Sequence, residues 1–490
     1  MNIIWGVCAL NHDASITVMR GNEILFAGHS ERYSRIKNDP YLNDKLIADA
    51  LTYGKPSELV WFEKPILKKS RQLYASQWHD AMSQTPAAYL KSTSLCDIPV
   101  TYVPHHESHA AAGYYTSKFN DAAVVVVDAI GEWDTISVWH AIGNTMTKVH
   151  SVQYPDSLGL LYSAVTHRIG LKPNEEEYIL MGMAAYGKPV YYEDLMNDIV
   201  EDATAPNFRL RVNLHRGMRN WRPDIKSEQD YMNLAASVQL ITENFMCDIA
   251  RWARKNVPSS NLVLMGGCAL NCVANEKIAR TGLYDDIWIM PNPGDAGSSL
   301  GAILAHTKVK AAWHNPYLGT NISQPFKIGA AVDALCNGDI IGVAQGRAEF
   351  GPRALGNRSI LADPRGDTIK DRVNDIKKRQ RFRPFAPIVL EHLADKYFDM
   401  PVNTSPYMQF TAACLRSDLF PAICHVDGSS RVQTLNREQN PLMYELLNQF
   451  YMKTGCPILL NTSLNIKGEP LVDSWEDALR FQSKYGIKIF

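Results

Sequence analysis

No run of apolar residues in the 490-residue sequence approaches the roughly 18 that a membrane-spanning helix needs. A helical membrane anchor within these residues is therefore excluded. An excess of one charge is also lacking: 50 Lys and Arg stand against 51 Asp and Glu, for a formal net charge of −1. Bulk electrostatics do not announce a nucleic-acid partner. Cysteine is sparse, nine residues in all, and the nearest pair, Cys268 and Cys272, has no second pair to complete a zinc site. Free thiols in a reducing cytoplasm are the expectation. The start, Met1-Asn-Ile-Ile-Trp-Gly-Val, reads as a strand and has no charged signal-peptide onset. What is present is an ordinary globular composition, 46% hydrophobic, in a chain long enough for two or three domains.

The chemistry gathers around Val103-Pro-His105-His106-Glu107-Ser108-His109-Ala110. His105 and His109 are spaced i, i+4, so a helix over 107–115 would present both imidazoles on one face near its start. Neutral imidazoles so placed can share one cation. The HxxxH pair alone is weak, because surface and core histidines show the same spacing. Two carboxylates at strand ends strengthen it. Asp128 closes the apolar run 122–127, and Asp295 sits in the Gly-rich turn 291–299.

Two stretches share one plan. Residues 3–27 read as a strand, a polar loop with His12 and Asp13, a strand, a Gly21-Asn22 turn and a strand. Residues 122–152 read as a strand, Asp128, a strand, a Gly143-Asn144 turn and a strand. Actin-like and sugar-kinase-like ATPase folds build two half-domains around a cleft in this way, although two hairpins also resemble each other by chance. Residues 29–37, with Glu31, Arg32, Arg35 and Lys37, read as a solvated charged segment, and 41–53 as a helix. Residues 203–223 hold Arg209, Arg211, Arg216, Arg219 and Arg222 and no acid, with Phe208 and Trp221 interleaved. That is either a solvated basic loop or a patch for a phosphate-bearing acceptor, since guanidinium groups pair with phosphates and aromatics stack on bases.

Residues 231–255 form an amphipathic helical pattern. A strand at 262–265 leads into Gly266-Gly267-Cys-Ala-Leu-Asn271, where glycines let backbone amides approach a ligand. Residues 309–325 lack periodicity and read as a linker. The second domain beyond it places Arg and Lys at turns and strand edges: Gly351-Pro-Arg353-Ala-Leu-Gly356, Lys377-Lys-Arg379-Gln-Arg381-Phe-Arg383, Ser430-Arg431 and, after a strand, Asn461-Thr-Ser463-Leu-Asn465. Such placement suits a polyanion such as ATP or an acyl phosphate.

Taken in order, several of these residues resemble the O-carbamoyltransferases, the family of the nodulation-factor, tobramycin and cephamycin enzymes. They are His105 with His109, Asp128, Met181-Gly-Met-Ala-Ala-Tyr-Gly187, the 266–271 turn, Asn292-Pro-Gly-Asp295, the 351–356 turn, Phe382-Arg-Pro-Phe-Ala-Pro387 and Asn461-Thr-Ser463. The resemblance spans nearly the whole chain. It implies an α/β protein with an actin-like domain over residues 1–315, similar to the tRNA threonylcarbamoyl-transfer proteins, and a YrdC-like α/β domain over 325–490. It also implies two steps. ATP and carbamoyl phosphate give carbamoyl-adenylate in the second domain, and the carbamoyl group then moves to an acceptor hydroxyl in the first.

By the same resemblance, Arg353, Lys377, Arg383, Arg431 and Ser463 hold carbamoyl phosphate and the nucleotide, Arg353 and Lys377 as catalytic groups, with Asn461 shaping the turn. His105, His109, Asp128 and Asp295 hold a divalent metal, Fe²⁺ or else Mg²⁺ or Mn²⁺. Gly266, Gly267 and Asn271 seat the adenosine. His12 is either the general base for the acceptor hydroxyl or a structural histidine beside Asp13. Cys268 departs from a common valine and Ala185 from a common proline, and the chain is short for the family.

The acceptor is not implied. The basic 203–223 segment favours a 5-hydroxymethyl pyrimidine in DNA or as a nucleotide. An antibiotic or sugar hydroxyl is the alternative. A non-catalytic ATP-binding regulator of the same fold is a third reading, and a homodimer is compatible with all of them. A tRNA threonylcarbamoyl enzyme is a weaker fourth, separable by its need for bicarbonate and threonine.

Overall fold

The strand Asp121–Val127 is almost all alanine and valine, and it is buried from Ala122 onward. A segment with no polar face becomes a central strand, covered on both sides. In the computed structural model, which describes residues 2–490, it is the middle strand of one of two matching five-stranded sheets. The first sheet comprises β1 (Ile3–Cys8), β2 (Ser15–Arg20), β3 (Glu23–His29), β4 (Glu58–Trp61) and β5 (Val100–Tyr102), in the order β3-β2-β1-β4-β5. The second comprises β6 (Asp121–Val127), β7 (Asp134–Ile142), β8 (Thr145–Gln153), β11 (Asn261–Met265) and β12 (Asp286–Trp288), in the order β12-β11-β6-β7-β8. Between them in sequence lies a small pair, β9 (Val200–Asp202) with β10 (Arg209–Leu210).

Each large sheet pairs its first strand antiparallel on one side and parallel on the other. The two hairpin repeats read from the sequence are thus the leading strands of a duplicated sheet. Both first strands end where a site residue is needed: β1 runs into Asn11 and His12, and β6 runs into Asp128. The helix Glu228–Asn256 starts at a capping box, with the Ser227 side chain accepting from Asp230 N and the Asp230 carboxylate accepting from Ser227 N. It buries one stripe from Leu234 to Ala253.

The chain forms two compact units. Met1–Ala27 with Pro40–Trp313 is the first, and Gly28–Asp39 with His314–Phe490 is the second. The second unit has a five-stranded sheet ordered β14 (Ile341–Ala344), β16 (Arg358–Ala362), β22 (Ile458–Ser463), β17 (Ala386–Leu390) and β21 (Gln433–Leu435). A larger core places the helices Ile328–Cys336 and Pro441–Thr454 against that sheet, and a smaller core holds the helix Trp475–Tyr485. A three-stranded sheet, β18 (Phe398–Asp399), β19 (Thr411–Cys414) and β20 (Ser429–Arg431), completes the unit.

Two expectations fail here. The stretch 309–325 is not all linker, because it contains β13 (Tyr317–Ile322), which pairs antiparallel with β15 (Gly346–Glu349). Residues 29–37 are not a solvated face. Glu31 and Arg32 are buried within the second unit, where Lys37 Nζ pairs with Glu31 at 2.9 Å and Arg35 donates to the carbonyls of Pro470 and Leu471. Charges spaced along a short segment say nothing of whether carbonyls elsewhere in the chain will satisfy them. Among the described residues, no helix is long and apolar enough to cross a membrane.

Candidate functional sites

The two histidines lie on the first turns of the helix His105–Thr116, which starts two residues earlier than the spacing suggested. This helix packs against the helix Ser298–Thr307 at very short range. A Cβ added at Gly301 would stand 2.0 Å from the Ser108 carbonyl oxygen. The close approach is what brings the 291–299 turn, and with it Asp295, to the imidazoles. His105 Nε2 and His109 Nε2 are 3.0 Å apart. His109 Nε2 lies 3.1 Å from Asp128 Oδ2 and 3.3 Å from Asp295 Oδ1, and His105 Nε2 lies 3.5 and 3.2 Å from the same two atoms.

These separations test whether a cation fits. Ligand bonds of about 2.1 Å give edges of about 3.0 Å in an octahedron and about 3.4 Å in a tetrahedron. The five edges that involve an imidazole nitrogen, 3.0–3.5 Å, lie close to that range. All four residues are buried, and one ligand atom from each lies within 4.8 Å of the others. The electrostatics agree. Burial disfavours charge on the imidazoles, yet the carboxylates of Asp128 and Asp295 outweigh it and hold both histidines above their ordinary range. Burial likewise opposes ionised Asp128 and Asp295, and the histidines overcome it and hold both carboxylates well below theirs. Two buried carboxylates facing two imidazole nitrogens make a mixed nitrogen–oxygen donor set suited to a first-row divalent ion.

Several residues that support this cluster were not apparent from the sequence. The helix Ncap is Pro104, which offers no side-chain cap, and Glu132 fills that role. Its carboxylate accepts from His105 N at 3.0 Å through both oxygens and from Lys64 N at 2.7 Å. Glu63 Oε2 faces His105 Nδ1 at 3.9 Å while its other oxygen holds Lys68 at 2.6 Å. Asn11 Nδ2 donates to Asp295 Oδ2 at 2.8 Å. A residue that works by accepting a backbone amide leaves no spacing signal. Glu132→Gln removes the carboxylate charge at the helix start and is expected to weaken divalent-metal affinity by about 10- to 100-fold. Calorimetric titration with Mn²⁺ checks this, and an unchanged affinity would remove Glu132 from the site.

His12 is pulled in two directions. Burial lowers it, but Asp295, with Asp13 on Nδ1 at 3.1 Å, pushes it up to about 9. Its Nε2 lies 3.5 Å from Asp295 Oδ2, so the residue joins the cluster as well as contacting Asp13.

The Gly-Gly turn orients a residue of the candidate metal cluster. Gly266 has φ +86°, and a Cβ there would stand 2.3 Å from Val127 O. Only glycine accepts both conditions. Gly267 N then donates to Asp128 Oδ1 at 3.1 Å. Asn271 caps the helix Cys272–Arg280 through Ala274 N and is bonded to Gln239 at 2.9 Å, in a network with Tyr162 and Glu243. Its side chain is thus held by the fold.

In the 203–223 segment, Phe208 is fully buried against Phe245 and stacks on nothing external. Arg209 pairs with Asp202, Arg222 with Asp194 and Asp224, and Trp221 Nε1 donates to Asp198. Arg211, Arg216 and Arg219 remain an exposed basic surface without an interleaved base-stacking ring from Phe208.

In the second unit, Lys377 ends the helix Ile369–Lys377 and is buried. Its ammonium donates to Ser463 O, Ser463 Oγ at 2.9 Å and Asn465 Oδ1 at 2.5 Å. An ammonium has three donors, and all are engaged. Lys377 thus holds Ser463 and Asn465 in place. Burial first, then the neighbouring Arg379 and Arg383, pull the Lys377 ammonium well below its ordinary range. Three cations close enough to repel one another mark a place that favours an anion. Asn461 Nδ2 donates to Ala354 O and Gln433 Oε1, tying β22 to the loop that carries Arg353. Arg353, Arg383 and Arg431 are half-buried.

Residues 62–304 match the family model described as Carbamoyltransferase N-terminus, and residues 332–490 match Carbamoyltransferase C-terminus. Nodulation protein NolNO of Sinorhizobium fredii is 32% identical, over 96% of this chain and 76% of that one. The 3'-hydroxymethylcephem-O-carbamoyltransferase of Amycolatopsis lactamdurans is 28% identical, over 97% and 95%. Among solved structures, full-length HypF aligns with 64% of this chain and 56% of its own, at 15% identity and a TM-score of 0.33.

Proposed function

The chain belongs to the carbamoyltransferase family, and on that footing we propose that it is an ATP-dependent O-carbamoyltransferase. Its second unit, read as a YrdC-like domain, joins the carbamoyl moiety of carbamoyl phosphate to AMP. Its first unit, read as an actin-like domain, passes that moiety to an acceptor hydroxyl. The observation that carries the reading is the convergence of His105, His109, Asp128 and Asp295.

Carbamate is a poor electrophile, and the adenylate gives it a good leaving group. In the first step carbamoyl phosphate with water yields carbamate and phosphate. The carbamate oxygen then attacks the α-phosphorus of ATP and pyrophosphate leaves. Arg353, Arg383 and Arg431 neutralise the phosphates, and Lys377 holds Ser463 and Asn465 in place beneath them. In the second step the acceptor oxygen attacks the carbamoyl carbon, its proton departs and AMP leaves. A divalent ion on the four residues would supply a Lewis acid for the phosphate of the leaving AMP. With Asp295 committed to that ion, His12 keeps Asp13 on Nδ1 and presents Nε2 to the acceptor proton.

The acceptor is a hydroxyl-bearing molecule. The burial of Phe208 withdraws the stacking argument for a 5-hydroxymethyl pyrimidine in DNA, so small-molecule alcohols come first. The test is product mass spectrometry after incubation with ATP, carbamoyl phosphate and a divalent metal. One arm holds hydroxymethylcytosine-containing DNA, and the other holds a panel of sugar and antibiotic alcohols. The expected result is pyrophosphate release, with one alcohol heavier by a carbamoyl group. No pyrophosphate under any metal would defeat the proposal and favour a non-catalytic nucleotide-binding protein.

A further inference from the structure

Two buried arginines of the second unit lie within electrostatic reach of each other and of Asp473. Their hydrogen bonding differs. Arg358 is fully buried and donates to five carbonyls, those of Asp473, Gln345, Asn357, Thr320 and Gly346. It is satisfied by the fold. Arg32 is 4% exposed and makes one bond, from Nη2 to Gly351 O at 2.9 Å. Its Nε and Nη1 have no hydrogen-bond partner among the described residues. A buried guanidinium with donors unused is costly unless something outside the chain meets them.

The partner of Arg32 is the first residue of the 351–356 loop. That loop is held from several sides. Glu349 Oε1 accepts from the amides of Leu355, Asn357 and Arg358, Asn461 holds Ala354 O, and Tyr317 and Gln433 hold Leu355 O. Two of the side chains that hold it keep an unused polar atom, Glu349 Oε2 and Asn461 Oδ1, as does Gln345 at the strand end before β15 with both of its side-chain amide atoms. Around the loop that carries Arg353, buried polar atoms with no internal partner thus recur. An unmet N–H of a buried guanidinium is a charge-assisted donor suited to a phosphoryl oxygen.

We infer that Arg32 is a phosphoryl-binding residue of the second unit, contributed by the 28–39 segment far from that unit's other residues in sequence. The inference rests on the proposed function for the identity of the phosphoryl compound, which is carbamoyl phosphate or ATP. Arg32 donates an unmet N–H, from Nε or from Nη1, to a phosphoryl oxygen while Nη2 stays on Gly351 O.

The test uses the full chain. Arg32→Lys keeps the charge and loses the planar guanidinium, and Arg32→Gln loses both. Pyrophosphate release is followed while carbamoyl phosphate and ATP are varied separately. Loss of charge-assisted bonds predicts a KM raised by about 10- to 100-fold for one substrate, with the other near its wild-type value. A raised carbamoyl phosphate KM assigns the phosphoryl group to it, and a raised ATP KM assigns it to the nucleotide. Unchanged KM values with only a lowered melting temperature would overturn the inference and make Arg32 structural. A wild-type measurement guards against variants that do not fold. Amide hydrogen exchange of the wild-type peptide spanning 28–39, read by mass spectrometry, is expected to slow when inorganic phosphate, carbamoyl phosphate or ATP is added. Exchange insensitive to all three would also overturn it. Protection without pyrophosphate release would uphold the phosphoryl site while defeating the proposed function.

Discussion

Asp295→Ala is expected to empty the first unit's site of metal, lowering bound divalent ion from about one per chain to near none. Carbamoyl transfer should fall by about 100- to 1,000-fold, while pyrophosphate release persists. The size of the effect follows from the number of partners that Asp295 serves. It faces both imidazole nitrogens at 3.2–3.3 Å, receives Asn11 Nδ2 at 2.8 Å and lies 3.5 Å from His12. Its loss leaves one carboxylate for two histidines and frees His12 from the charge that raises it. Elemental analysis of the purified variant reads the metal, and product mass spectrometry reads the transfer. A variant that keeps its metal and its transfer rate would sink the assignment of all four ligands.

Lys377→Met is expected to damage the second unit twice. The ammonium satisfies Ser463 O, Ser463 Oγ and Asn465 Oδ1 from a buried position. Methionine fills similar space and strands those acceptors. Each stranded acceptor costs about 1–3 kcal/mol, partly offset because a buried charge is removed as well. A net loss of about 2–4 kcal/mol is expected, a large share of the stability of a typical domain. It should appear as an earlier transition in urea unfolding. Pyrophosphate release should fall by at least about 100-fold, because Ser463 and Asn465 lose their anchor. Lys377→Arg is not expected to rescue either effect, since a planar fork cannot direct donors to three acceptors around a single nitrogen. Full stability with activity lost would instead make Lys377 a direct ligand with no positioning role.

What could be seen in the sequence was what local spacing encodes. The i, i+4 histidines, the strand-end aspartates and the repeated Gly-Asn hairpins are short-range signals, and each sits where it was expected. What could not be seen depends on partners distant in the chain. The strand β13 lies in a Pro- and Gly-containing stretch and exists because β15 pairs with it. Glu132 works through backbone amides on two other segments, Lys64 and His105. Phe208 looked available for stacking because its neighbours are basic, yet Phe245 on the long helix covers it. Lys377 sits in a basic run whose local pattern does not show where its acceptors lie. Its acceptors lie 86 and 88 residues later.

The path of residues 28–39 also bears on how the chain can be made and divided. The second unit is discontinuous, with 12 residues near the start and the rest from His314 onward. During synthesis those early residues must wait for the last part of the chain before Arg35 can meet Pro470 and Leu471. A clone beginning at residue 314 would therefore not yield the second unit but a version with carbonyls stripped of their donors and with Arg32 missing. Separating the two half-reactions by truncation calls for a circularly permuted gene, or for the early segment supplied as a linked peptide, in place of a simple cut.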